Sequence, residues 1–299
     1  MTEEFMGYER PKKQVGIRNK VAILPSVSCV NHVATEISKK VEGTVAMPHP
    51  LGCGQIGPDF TYTIRTLSGL LTNPNVYGAV IVGLGCENIT SKKLGRTVKR
   101  SKKPVEFFDV HDVEGGTIAA IEKGAKYAEK MVEETKELKR EPFDFSHLIL
   151  GLQCGSSDSI SGITSNSAVG KVSDKIVELG GTSILPEFTE WIGTEHLLVK
   201  RAVNQVVKEK IEEPVNNFLE NTMKLGIDFR GVQPTPGNIK GGLTTIEEKS
   251  LGTVVKAGKA PIQGVLDYSV KPKEKGLHLM VEPGLDVESM TGLAAAGAH

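Results

Sequence analysis

The chain has 299 residues, with 36 Lys and Arg residues balanced by 36 Asp and Glu residues, so its formal net charge is zero. This balance argues against nucleic acid or an anionic membrane surface as the main partner. No run of about 18 apolar residues, the length that a membrane span needs, is present in the sequence. Four dispersed cysteines without a C-x-x-C pair indicate a reducing, cytoplasmic setting, and Met1–Met6 shows no signal-peptide pattern.

Short apolar runs alternate with helical patterns along the chain, and this alternation predicts an α/β fold. The predicted strands cover residues 21–24, 45–47, 79–82, 105–108, 148–151, 180–186, 264–270 and 277–281. The predicted helices cover residues 31–40, 59–71, 92–103, 115–136, 165–179 and 197–225, with a further short helix after residue 245. Residues 7–19 are a polar lead-in, and we expect Pro214 to interrupt or kink the helix that contains it.

The expected architecture is a set of mostly parallel sheets in Rossmann-like βα units, with a loop-rich C-terminal part beyond Gly226. Residues 136–142 indicate a linker. We therefore predict an N-terminal α/β domain over residues 1–140 and a second α/β domain over residues 141–299. The final helix pattern leads to no further strand. We expect the second domain to be truncated at its C-terminus.

Each of the four cysteines, Cys29, Cys53, Cys86 and Cys154, lies shortly after a predicted strand. If these strands are parallel neighbours, their carboxyl ends share one edge of the sheet, where open α/β folds bind ligands. One such cysteine is usually a packing residue, but the repeated placement also fits a metal or cluster site, because thiolates are soft ligands for iron or zinc. His49, four residues before Cys53, is a further candidate ligand or a turn residue.

Several carboxylates and hydroxyls also follow the predicted strands. Glu87 stands in a Gly-rich turn, where packing gives no reason for a carboxylate. Asp158 is surrounded by serines, which suits a polyhydroxy or anionic ligand, but the same aspartate can cap its own turn. The acidic residues Glu187, Glu190 and Glu195 reach a site or stabilise a helix N-terminus. Gly-rich turns without a phosphate-loop motif leave nucleotide binding unsupported.

Seven motifs, in order, resemble the altronate/galactarate dehydratase family, which includes the large subunit of sulfolactate sulfo-lyase. They are Gly16–Asn19, Gly52–Gly54, Gly83–Glu87, Gly151–Asp158 with Ser161–Thr164, Glu195–Leu198, Gly241–Thr245 and Pro283–Asp286. The resemblance implies an iron-dependent lyase that removes water, or sulfite in the sulfo-lyase, from a hydroxylated carboxylic acid. The resemblance implies that family members continue past Gly297 and that some carry a small SAF-type domain, which we do not expect within this chain. A small SAF-type subunit is therefore an expected partner.

The chemistry of such an elimination suggests a role for each candidate. The expected catalytic residues are His49, Glu87, Asp158 and His196. The expected substrate-binding residues are Arg18, Asn19, Gln55, Ser156, Ser157, Ser161, Thr164, Glu187 and Glu195. The expected iron ligands are Cys53, Cys86, Cys154 and His49, for Fe²⁺ or an iron–sulfur cluster, with Mn²⁺ as an alternative metal.

The predicted function is dehydration of a sugar acid such as altronate or galactarate to a 2-keto-3-deoxy acid. A large sulfo-lyase subunit that releases sulfite and a non-catalytic fragment that binds sugar acids are the alternatives. We also expect a homo-oligomer, and neither nucleic acid nor a membrane as partner.

Overall fold

The computed structural model describes residues 3–153, 155 and 157–299, and the chain divides into two compact units. The first runs to Phe143 and includes Ala294–Gly297 and His299, and the second comprises Asp144–Leu293 and Ala298. That residues 1–140 and 141–299 are separate folding domains stays a prediction.

The first unit contains a parallel sheet with helices on both faces. Its elements, with β7 at the unit boundary, are β1 (Glu4–Arg10), β2 (Gln14–Gly16), β3 (Lys20–Pro25), α1 (Asn31–Lys40), β4 (Thr44–Ala46), α2 (Gly57–Leu71), β5 (Val76–Gly83), α3 (Ser91–Arg100), β6 (Val105–Asp109), α4 (Gly116–Lys136) and β7 (Glu141–Asp144). The sheet has the order β4-β3-β5-β6, and every neighbouring pair is parallel. The central strands β3 and β5 are almost entirely buried, as expected for strands covered on both faces.

Two hydrophobic clusters, one on each face, hold this sheet between its helices. Ile37 of α1 and Ala128 of α4 pack with Val80 in the first cluster. Leu67 of α2 and Leu94 of α3 belong to the second. The βα alternation in the sequence therefore correctly predicts an α/β unit with a parallel sheet.

The N-terminal lead-in is not a loop, because β1 and β2 form an antiparallel pair within a three-stranded sheet of order β2-β1-β7. Arg10, which is 4% exposed, ends β1 and donates hydrogen bonds to the carbonyl of Pro74 and the side chain of Asn19. Its guanidinium also lies over the rings of Tyr8 and Tyr77. Charged and aromatic residues are mixed in β1 without regular alternation, so the sequence carries no clear strand signal here.

The second unit contains a separate parallel sheet of order β10-β11-β9-β8. The remaining elements are β8 (Ile149–Gly151), α5 (Ser165–Glu178), β9 (Thr182–Leu185), α6 (Glu195–Val199), α7 (Gln205–Lys224), α8 (Phe229–Val232), α9 (Pro236–Lys240), α10 (Ile246–Lys256), β10 (Ile262–Leu266), β11 (Gly276–Met280) and α11 (Asp286–Ala295). Its core includes Leu185, Trp191, Ile211 and Leu279.

The predicted helix over residues 197–225 is two helices in the structure. The break falls between α6 and α7, where Asn204 caps α7 by accepting a hydrogen bond from the Val207 amide. Pro214 lies inside α7 without ending it, so it does not interrupt the helix, and a kink at this residue stays a prediction. Over the described part of the chain, no helix has both the length and the apolar character that crossing a bilayer requires.

Candidate active-site residues in the two units

Four polar side chains meet around Gly83, the last residue of β5. The Ser26 hydroxyl donates a hydrogen bond to Glu87 Oε1 at 2.5 Å, and the Ser91 hydroxyl donates to Asp109 Oδ1 at 2.6 Å. A Cβ atom on Gly83 would overlap Asp109 Oδ1 and lie 2.7 Å from Glu87 Oε1. Glycine at position 83 therefore lets two carboxylates approach the carboxyl end of the same strand.

Glu87 is the predicted site residue that this arrangement explains best. The residue is 5% exposed, and its Oε2 accepts the Gly85 amide at 2.8 Å. Burial raises the pKa of Glu87, but hydrogen bonds from Ser26 and the amides of Gly85, Glu87 and Leu84 outweigh it, so the net pKa lies below the ordinary value. Such a carboxylate is ionised at neutral pH and is a weak base, which favours an orienting or electrostatic role.

Sequence reasoning did not identify Asp109 and Ser91 as site residues. Asp109 is the last residue of β6, beside the carboxyl end of β5, and Ser91 begins α3. The available signal was the position of Asp109 directly after a predicted strand.

The cysteines of the first unit are exposed thiols. Cys29, Cys53 and Cys86 are all free and exposed, so the interpretation of these three as buried packing residues is wrong. The turns that carry Cys53 and Cys86 are neighbours, because the Ile89 amide donates to the Gly52 carbonyl and the Asn88 side chain donates to the Gln55 carbonyl.

The expectation of one sheet edge shared by all four cysteines is wrong. The strands β3, β4 and β5 before the first three belong to one sheet, whereas β8, before Cys154, belongs to the other. The sequence alone does not indicate which strands pair. Cys154 itself lies outside the described residues.

His49 is held by backbone groups through both ring nitrogens. Nε2 lies 2.7 Å from the Pro25 carbonyl oxygen, and Nδ1 accepts the Leu51 amide at 3.2 Å. This arrangement leaves neither nitrogen with a lone pair for a metal. Over residues 3–153, 155 and 157–299, no three His, Cys, Asp or Glu side chains are grouped as metal ligands. The described residues therefore do not fit an iron site in this conformation.

The buried imidazole of His49 predicts a loss of stability in mild acid. Burial lowers the pKa of His49, and the hydrogen bond to Pro25 opposes this only in part. In the unfolded chain the pKa of a histidine is about 6.5. Below that pH the unfolded chain binds a proton at His49 that the native state does not bind, so the free energy of unfolding falls as pH decreases. Burial lowers the pKa of His278 as well, so His49 supplies part of this slope.

Urea unfolding at pH 7.5 and pH 5.5 measures this contribution. The variant His49→Gln is expected to lose less stability between the two values than the wild type, whereas His32→Gln, at an exposed position of α1, should behave as the wild type does. Equal losses in the wild type and His49→Gln would contradict the prediction.

The remaining predicted residues of the first unit have local structural contacts. Gln55 Oε1 accepts the Gly52 amide at 2.9 Å. Asn19 accepts a hydrogen bond from Arg10 and donates one to the Thr135 carbonyl, and Arg18 is exposed. Arg18 and Asn19 precede β3, at the opposite end of the strand from Ser26, and the structure does not bring them together with Glu87.

In the second unit, the predicted serine-rich segment lines a cavity of about 210 Å³. Asp158 Oδ1 accepts the amides of Ile160 and Ser161, which confirms that this aspartate caps its own turn. Ser157, Asp158 and Ser161 all line the cavity, together with residues of α10. Thr164 donates a hydrogen bond to the Ile160 carbonyl and does not line the cavity. Ser156 lies outside the described residues.

Glu187 is buried just after β9, where it is the N-cap residue of the short 3-10 helix Phe188–Trp191. Its backbone is left-handed, with φ 70°, and its side chain contacts the buried Lys256 ammonium and accepts the Gln153 amide at 2.8 Å. Its own amide donates to Glu282 Oε1 at 3.0 Å. A non-glycine residue with a left-handed backbone is uncommon, and this conformation persists where contacts with the surrounding residues hold the backbone in place.

The last two predicted residues lie at the start of α6. Glu195 Oε1 accepts the Gly193 amide at 3.0 Å, so Glu195 stabilises the turn that begins the helix. His196 is exposed beside it. The structure does not place either residue against the cavity that Asp158 lines.

Both units of the chain match models of known protein families. Residues 145–299 match the model of the C-terminal region of D-galactarate/altronate dehydratase, which is more than half of the chain. The chain belongs to this family. Residues 7–136 match the model of the second domain of D-galactarate dehydratase/altronate hydrolase. The resemblance inferred from the seven motifs is therefore confirmed.

Three relatives show how far the family similarity extends. The chain is 36% identical to altronate dehydratase of Bacillus subtilis, over 99% of this chain and 61% of that protein. It is 38% identical to the (2R)-sulfolactate sulfo-lyase subunit beta of Chromohalobacter salexigens, over 98% of this chain and 75% of that protein. It is 34% identical to the L-threo-forming galactarate dehydratase of Escherichia coli, over 98% of this chain and 60% of that protein. The chain thus spans about three fifths of the two dehydratases.

Proposed function

We propose that this family member is a lyase that removes water from a sugar acid such as altronate or galactarate and yields a 2-keto-3-deoxy acid. The observation that carries the proposal is the match of both family regions, in order, along one chain. The names of the relatives, altronate dehydratase and galactarate dehydratase, support this reaction class. Because the chain spans only part of those proteins, their activity is a proposal here.

The reaction begins with removal of the proton next to the carboxylate, a weakly acidic position. Negative charge develops on the resulting enediolate, and a hydroxyl group must leave from the neighbouring carbon with a proton supplied to it. The residues around Gly83 offer an ionised carboxylate, Glu87, whose orientation is fixed by hydrogen bonds. We assign Glu87 the task of orienting the substrate, because its lowered pKa makes it a poor base.

Our proposed acid/base is either His49 or His196. His49 is neutral at pH 7, since burial lowers its pKa, and a neutral imidazole can accept a proton. Before it can contact a substrate, His49 must give up its hydrogen bond with either the Pro25 carbonyl or the Leu51 amide. His196 is exposed and could reach a ligand without that exchange.

Iron remains part of the proposal, as Fe²⁺ or a cluster, with Mn²⁺ as the alternative. Its proposed ligands are Cys53, Cys86 and Cys154, and the adjacent turns that carry Cys53 and Cys86 support this choice. His49 joins them in this proposal only if one of its ring nitrogens gives up its contact with Pro25 or Leu51. The described residues form no complete ligand set, so we route no step of the reaction through the metal.

A second candidate function is release of sulfite from 3-sulfolactate. It is favoured by the subunit beta of sulfolactate sulfo-lyase, of which this chain covers 75% at 38% identity. The word subunit in that name supports a multi-chain enzyme, and a small SAF-type chain and a homo-oligomer are our proposed assembly partners.

A substrate panel tests the proposed function. The purified protein, reduced and supplied with Fe²⁺ under anaerobic conditions, is incubated with altronate, galactarate and 3-sulfolactate. A keto acid formed from altronate or galactarate is the expected result. Sulfite released from 3-sulfolactate alone would replace the dehydratase proposal with the sulfo-lyase. Binding of the acids without any product would indicate the non-catalytic alternative.

A further inference from the structure

Lys249 of α10 differs from the other well-buried lysines in how loosely its ammonium group is held. Lys103 donates to the carbonyl of Val76 at 2.6 Å, and Lys256 is in close contact with Glu187. The Lys249 ammonium lies 3.4 Å from Glu190 Oε1 and 3.3 Å from Gln233 Oε1. Charge-assisted hydrogen bonds are normally about 2.7–2.9 Å long, so this ammonium retains unused capacity to bind an anion.

Lys249 also lies where two cavities of the second unit meet. One is the cavity of about 210 Å³ that Ser157, Asp158 and Ser161 line. The other, of about 240 Å³, has Thr189, Glu190 and Gln233 among its lining residues. Each cavity alone is smaller than the roughly 300–1,000 Å³ that is usual for small-molecule sites, so a ligand of that size would have to extend past Lys249, the residue that lines both.

The position of these cavities in the fold is that of a ligand site. Thr189 follows β9, Gly284 follows β11 and Asp158 follows β8, so the lining comes from segments beyond the carboxyl ends of three parallel strands. Open parallel sheets bind their ligands at this edge. Lys249 contributes to both linings from α10.

The charges of the lining point to the ligand's chemistry. Of the described residues that line the two cavities, Lys249 is the only lysine or arginine. The carboxylates of Asp158 and Glu248 already accept hydrogen bonds from nearby amides. Hydroxyl and amide groups supply the other polar contacts, and the aromatic rings of Phe218 and Phe229 supply apolar surface. The described lining thus carries one cation, Lys249, and three carboxylates that already accept hydrogen bonds, those of Asp158, Glu190 and Glu248. Lys249 is therefore the group in this lining that can attract an anion, and the hydroxyl and amide groups around it suit a polyhydroxylated one.

We propose that Lys249 binds the carboxylate of a small polyhydroxylated acid, and that the two cavities on either side of it receive the hydroxylated carbon chain. The identity of this acid as a substrate rests on the proposed function. Glu190 competes with the ligand for the same ammonium, because it is the carboxylate already paired with it. Removing Lys249 and removing the charge of Glu190 should therefore change acid binding in opposite directions.

Calorimetric titration of the full chain with altronate, galactarate, 3-sulfolactate and the neutral polyol galactitol tests this inference. We expect the wild type to bind at least one acid about tenfold or more tightly than galactitol. Lys249→Met should weaken binding of that acid at least tenfold and leave galactitol binding unchanged. Lys249→Arg should retain most of the affinity, and Glu190→Gln should increase it. Lys210→Met, at an exposed position of α7, is the matched control.

The outcomes separate this inference from the proposed function. Unchanged acid affinity in Lys249→Met, with turnover in the wild type, would overturn the role of Lys249 alone. Acid binding that depends on Lys249 without turnover would support the site and contradict the proposed reaction. A wild type that prefers no acid over galactitol would overturn the inference. If Lys249→Met fails to fold, Glu190→Gln still decides it: tighter acid binding in this variant supports the inference, and unchanged or weaker acid binding overturns it.

Discussion

Replacing Lys256 with methionine is expected to lower the free energy of unfolding by about 3–5 kcal/mol. Lys256 is fully buried, and its ammonium contacts Glu187, which is 6% exposed. The substitution removes the nearby cation and leaves the Glu187 carboxylate inside the second unit. An ionised carboxylate is costly to bury without its partner, and this cost produces the large effect. Urea denaturation followed by circular dichroism measures the change.

The double variant Lys256→Met with Glu187→Gln provides the decisive control. It removes both charges, so we expect it to recover at least half of the stability that Lys256→Met loses. Lys210→Met should change stability by less than about 0.5 kcal/mol, because Lys210 is exposed. A double variant no more stable than Lys256→Met would show that the loss comes from packing of the lysine side chain and not from the unpaired charge.

Gly83→Ala is expected to reduce kcat/KM about 100-fold and to lower the free energy of unfolding by roughly 1–3 kcal/mol. The added methyl group overlaps Asp109 Oδ1 and comes within 2.7 Å of Glu87 Oε1. Both carboxylates must then move away from the carboxyl end of β5. Steady-state kinetics with the acid that the wild type turns over fastest measures the effect on activity.

Gly237→Ala is the matched glycine substitution. Gly237 lies in α9, and a Cβ atom there would meet only Thr235 Oγ1, at 3.9 Å. We expect the activity and stability of this variant to remain close to those of the wild type. If Gly83→Ala kept full turnover while its stability fell, the carboxylates around Gly83 would be structural and the active site would lie elsewhere in the chain.

The sequence predicts the central strands well because their burial leaves a direct signature. The apolar runs Val21–Leu24 and Ala79–Val82 lie within β3 and β5, whose two faces are both covered by helices. The strand β1, central in its three-stranded sheet, mixes charged with apolar residues and was missed. The expectation that the strand before Cys154 shares a sheet edge with the strands before the other cysteines was wrong, because an apolar run indicates a buried strand without identifying its neighbours.

Site residues with a local sequence signal were predicted, and those whose role depends on tertiary packing were not. Glu87 was identifiable because a carboxylate in a Gly-rich turn has no packing role that the local sequence explains. Lys256 ends α10, where a lysine normally interacts with the helix dipole in solvent, and its burial against Glu187 depends on tertiary packing. Lys249 is separated from Glu190 by nearly sixty residues of sequence, so no local pattern could place it between two cavities.

The most direct test of the proposed dehydration is a proton NMR measurement of the reaction in D₂O. Removal of the proton next to the carboxylate, loss of the neighbouring hydroxyl and ketonisation of the enol should give a 2-keto-3-deoxy acid with one solvent deuterium at C3. We expect this product from altronate or galactarate with the wild type and a much slower reaction with Glu87→Gln. Unchanged altronate and galactarate after prolonged incubation with Fe²⁺ under reducing conditions would contradict the proposed function.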